Sequence, residues 1–86
     1  MMAVTVYWFD SAIYPAHGEI SKKDIMALPL PQVVTSGILV NKTKSIVRIA
    51  KDFNCDSGNY RGISLIPTCN IIKIVRTKIE DTSAVQ

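Results

Sequence analysis

Between Gln32 and Ile79 the chain alternates short Ile- and Val-rich runs with clusters of Asn, Asp, Ser and Gly, a pattern that leaves little room for anything but an antiparallel meander. Residues 32–41 meet a polar turn at Lys42-Thr43-Lys44, and residues 45–53 run into a second turn over 54–59. Residues 60–67 end at Pro67, which has no N–H to give to a ladder. Thr68-Cys69-Asn70 has room for one 3₁₀ turn before a last strand over 71–79. Twelve Ile and eight Val against four Leu agree with this, because branching at Cβ fits a pleated surface and stiffens χ1 in a helix.

Ahead of the meander, Val4 to Phe9 reads as another strand. Val4, Val6 and Trp8 alternate with Thr5, Tyr7 and Phe9, so both faces carry apolar or aromatic groups. Neighbours on a strand face opposite ways, so Trp8 and Phe9 cannot both be interior. Tyr7, Trp8 and Phe9 are therefore candidates for contact with a partner. After a loop over 12–19, Ser21-Lys22-Lys23-Asp24 resembles a capping box. The helix it starts is short, about Lys22 to Ala27, because Pro29 pushes Leu28 out of the α region. Ile25, Met26 and Leu28 are expected to plug one end of the fold. Gly37 inside its strand predicts a bulge or a sharp bend.

Five strands, a short helix after the first and a 3₁₀ turn before the last predict an all-β fold, a Src-homology-3-like small barrel over residues 1–79. The alternative is an open five-stranded sheet packed by the helix. Residues 80–86 are expected to form a frayed polar tail. At 86 residues the chain is a single domain with a small core, to which an oligomer interface would add.

The functional classes narrow by exclusion. No apolar run approaches the ~20 residues that cross a bilayer, and no basic leader precedes Val4. Cys55 and Cys69 do not make a disulfide framework, and neither has a second ligand at zinc spacing. The expectation is a cytoplasmic protein with free thiols, no metal, no cofactor and no small-molecule substrate. His17, the one histidine, has only Glu19 and Asp10 near it in sequence, too little for a catalytic site. Cys69 is read as a half-buried apolar filler beside the last strand and Cys55 as exposed, with no visible source of activation for either. No nucleophile, base and orienting group assemble, so an enzyme is not expected.

The formal charge of +3 is uneven. Residues 1–41 carry two lysines against three acids, −1, and residues 42–86 carry eight Lys or Arg against four acids, +4. Arg48, Tyr60, Arg61, Arg76 and Lys78 are candidate nucleic-acid contacts, because a cation beside a stacking ring is how single strands are held without sequence reading. Against this stands the plainer reading of a solvated outer face, and of basic residues that keep sheet edges from pairing with other chains.

The opening Trp8-Phe9-Asp10-Ser11, the run Val34-Thr35-Ser36-Gly37-Ile38-Leu39-Val40, the strand from Ile46 to Ala50, Gly62, Ile66-Pro67 and Ile71, three residues past Thr68, together resemble a group of small uncharacterised proteins of phages, prophages and related bacterial mobile elements. The likeness spans about Val6 to Ile74. Thr68 stands where such proteins often carry a basic residue. The resemblance implies a small barrel of mobile-element origin and no established activity. The reading reached from the sequence is a non-enzymatic interaction module acting through a protein partner or its own oligomer, with a nucleic-acid-binding small barrel as the alternative.

Overall fold

The computed structural model describes residues 1–12 and 19–79. It holds β1 (Met2–Phe9), α1 (Lys22–Met26), β2 (Gln32–Lys42), β3 (Ile46–Asn54), β4 (Asn59–Pro67), a 3₁₀ turn (Thr68–Asn70) and β5 (Ile71–Lys78). All pairings are antiparallel, in the order β4-β3-β2-β1-β5. His17 and the 80–86 tail lie outside the described residues.

The sheet turns along β2, which changes partner at Ile38 and carries a register shift between Leu39 and Asn41. From Gln32 to Ile38 this strand pairs with β1, and from Ile38 to Lys42 it pairs with β3. Two three-stranded wings, β5-β1-β2 and β2-β3-β4, therefore share one strand. Gly37 sits at the fold between them. A Cβ there would lie 2.6 Å from Ile49 Cγ2 and closer still to the Ala50 carbonyl oxygen, so β3 can cross β2 only above a residue with no side chain.

Folding the wings together gathers the core. Val4 and Val6 from one wing meet Val47, Ile49 and Ile66 from the other, backed by Met2, Trp8, Leu39, Ile71 and Ile74. Cross-strand partners share a face, so the inner face follows from the register: Val4 with Gly37, Val6 with Thr35 and Ile74, Val47 with Ile66. Ile71 and Ile74 both reach the core although strict alternation would separate them. A β-bulge between Tyr7 and Trp8 pairs Tyr7 with Lys73 but Trp8 with Ile71, which leaves Ile72 as the extra residue, turned outward.

The turns are made by side chains that answer the main chain. Thr43 Oγ1 accepts from the N–H groups of Ser45 and Ile46. Asn54 Oδ1 accepts from those of Asp56 and Ser57. Thr68 ties the 3₁₀ turn to the β2–β3 turn: its N–H donates to the Ser45 carbonyl at 2.9 Å and its hydroxyl to the Lys44 carbonyl.

Two expectations need correction. The sheet is not closed into a barrel, because β4 and β5 are its two edges and do not pair with each other. The helix does not pack on the sheet either. Ser21 caps it as expected, accepting from the Asp24 N–H at 3.1 Å, but none of its residues is buried. Ile25, Met26 and Leu28 plug nothing, with Met26 76% exposed.

Candidate functional site

The segment between β1 and β2 is the most unusual part of the surface. Ser11, Ala12 and every residue from Glu19 to Pro31 is exposed. Across its base the Asp10 N–H donates to the Pro31 carbonyl at 3.0 Å, so the chain leaves the sheet and returns at one point. We call residues 11–31 the arm. It carries Ile20, Ile25, Met26, Leu28 and Leu30, all presented to solvent. An isolated helix of five residues is far below the ~12–15 that are even marginal in water, and helices are ordinarily held by burying one face. Here that face has nothing of its own sheet to cover it.

A second apolar surface lies on the outer face of the sheet. The register sets Ala3 beside Ile38, Ile38 beside Ala50 and Ala50 beside Ile63, one apolar row across four strands in which Ala50 itself is fully covered. Leu65, two residues beyond Ile63 on the same face, extends it along the β4 edge. Ile63 and Leu65 are 51% and 58% exposed, whereas their strand neighbour Ile66 is buried on the inner face.

The three aromatic residues proposed for partner contact are divided. Trp8 packs against the core, and its Nε1 donates to Thr35 Oγ1 at 3.0 Å. Phe9 faces out at the base of the arm. Tyr7 is half-buried on the outer face with the Lys73 ammonium 5.5 Å above its ring.

The candidate nucleic-acid contacts do not come together. Arg61 is held by Asp52 through two hydrogen bonds, Nε to Oδ1 at 2.7 Å and Nη2 to Oδ2 at 3.1 Å. These hydrogen bonds hold the Asp52 carboxyl below its usual range, against a smaller opposing effect of desolvation, and raise the Arg61 guanidinium above its own. Arg48 donates to Asn41 on the same outer face. Tyr60 belongs to the inner side, where its ring lies 4.9 Å from Phe53, tilted by 55°. Arg76 and Lys78 pair with Val4 and Met2, and so share the inner-face register at the far edge of the sheet. No stripe of cations with an open ring face results. The Asp52–Arg61 pair was readable in advance: both residues stand two positions outside the hairpin pair Asn54–Asn59, which places them opposite each other.

Cys69 is exposed rather than half-buried, its thiol near Asn70 Oδ1 at 3.3 Å, and Cys55 is exposed as expected. Among the described residues no three His, Cys, Asp or Glu side chains cluster to hold a metal, and no helix is long and apolar enough to cross a membrane. Comparison with protein-family models, with curated proteins and with solved structures finds no match to this chain.

Proposed function

We propose that this is a non-enzymatic interaction module in which the bent sheet is a scaffold and the arm is the element that binds protein. The supporting observation is the exposure of every described arm residue, five large apolar side chains among them, on a chain with six buried apolar residues among the described ones. Contiguous apolar surface that its own fold does not use is what distinguishes a contact site from scattered exposed residues. The short helix then gains its packing from the partner. A Src-homology-3-like architecture is part of this proposal. The meander, the bend at Gly37 and the 3₁₀ turn support it, and the β4 and β5 edges are what closure would have to join. The likeness to mobile-element proteins supports an accessory role on such an element, in a reducing compartment where both thiols stay free.

The test separates binding from folding. Ile25, Met26 and Leu28 are replaced together by Ala, and urea unfolding is followed at low protein concentration. Exposed positions should cost less than about 0.5 kcal/mol each. A loss of several kcal/mol would mean that these residues belong to the core of their own chain, and would end the proposal.

A further inference from the structure

We infer that the arm's partner is a second copy of this chain, and that two copies pair reciprocally, each arm lying on the outer-face row Ala3, Ile38, Ile63 and Leu65 of the other. This rests on the reading of the arm as a binding element and names what it binds.

Three observations lead there. The chain carries two unsatisfied apolar surfaces of matching character, the arm with Ile20, Ile25, Met26, Leu28 and Leu30 and the outer row ending in Ile63 and Leu65. Lys22, Lys23 and Asp24 interrupt the apolar side chains along the helix, and Arg48 stands directly opposite Leu65 at the β4 end of the row.

The surfaces also stand apart along β1. The arm leaves after Phe9, whereas the row crosses β1 at Ala3, six residues away. That is about 20 Å at ~3.3 Å per residue. Within one copy the described arm residues are all exposed, so the arm is not seated on its own row. Two copies laid side by side and antiparallel bring each arm to the other's row, and both contacts form at once. Such a pairing is closed and stops at two.

The area is sufficient as well. At roughly 100 Å² apiece, five arm residues and two row residues present about 700 Å² per copy, close to the ~800 Å² per partner of a standard interface.

The experiment is sedimentation equilibrium of the full chain from about 1 µM to 1 mM, with circular dichroism to check folding. The expected result is a reversible rise in mass from 9.5 kDa towards twice that value. Met26→Glu on the arm and Leu65→Glu on the row should each weaken association by about tenfold or more while the strand spectrum is unchanged. Both sites are exposed, so neither substitution should unfold the sheet. An equimolar mixture of the two variants retains one arm bearing Met26 and one row bearing Leu65, so it should associate more strongly than the Leu65→Glu variant alone. A monomer throughout, open-ended oligomers, or a dimer indifferent to both substitutions would overturn the second-copy assignment. The broader reading of the arm is decided separately, by the stability of the Ala variants, and survives a monomeric result if those variants remain stable.

Discussion

Gly37→Ala tests the bend that creates both faces of the molecule. The added methyl would lie 2.6 Å from Ile49 Cγ2 and nearer still to the Ala50 carbonyl oxygen. Ile49 is fully packed and the carbonyl belongs to the β3 ladder, so neither obstacle is the free end of a flexible side chain. Relief requires moving β3 away from β2, which also opens the contact of Val47 and Ile49 with Val4 and Val6. Overpacking of this kind costs about 1–3 kcal/mol and more where backbone must shift, so the upper end applies, ~3 kcal/mol. A domain of this length holds about 4–13 kcal/mol in all, so the loss is severe. In urea, with a slope near 1–1.5 kcal/mol/M, the midpoint should fall by roughly 2–3 M, measured at fixed protein concentration because association adds stability. Gly58→Ala is the control. Its φ of 75° makes a side chain unwelcome, but nothing lies within 4 Å, so it should lose only the conformational term of about 1–2 kcal/mol. If Gly37→Ala costs no more than Gly58→Ala, the close crossing of β2 and β3 is wrong, and with it the two-wing description.

The same unfolding assay should separate Ile66→Ala, a fully buried site losing about 2–5 kcal/mol, from Leu65→Ala beside it, losing less than about 0.5 kcal/mol in the monomer. Asp52 gives a pH dependence of known sign: its folded pKa is depressed, so its contribution is present above the unfolded value near 3.9 and is lost as pH falls through the lower folded value. Arg61→Met should move the Asp52 titration upward by NMR and flatten the fall of the thermal midpoint in that acid window; an unmoved titration would refute the pairing. Binding to single-stranded oligonucleotides, followed by anisotropy, should be no tighter than the non-specific range of about 10⁻⁴–10⁻⁶ M, with Tyr60→Ala changing it little because that ring packs on Phe53. Sub-micromolar affinity at physiological salt lost in Tyr60→Ala would reverse the choice between protein and nucleic acid.

Much of the fold is legible in the sequence because its signals are local. The Ser21 cap, the Pro67 stop, the 3₁₀ turn over 68–70 and the alternation of Val47 and Ile49 with Arg48 and Ala50 each follow from a few neighbouring residues. What alternation does not carry is the sum of twist and bend around the sheet. That sum decides whether β4 meets β5, and the edges stay apart. The bulge that brings Ile71 and Ile74 to one core is one unmarked residue, Ile72. The arm misled for a different reason. Ile25, Met26 and Leu28 show the same apolar spacing whether or not they cover their own core, and only the structure shows that they do not. The site residues behaved likewise: Trp8 and Phe9 separate as strand geometry requires, whereas the five nucleic-acid candidates scatter over two faces because charge count says nothing about register.

The most direct test of the arm's role is an isotope-filtered NMR experiment on an equal mixture of methyl-labelled and unlabelled chains at millimolar concentration. The account predicts intermolecular cross-peaks from the Met26 and Leu28 methyls of one copy to the Ile63 and Leu65 methyls of the other. Arm methyl shifts that do not change with concentration, together with no intermolecular cross-peaks at all, would contradict it.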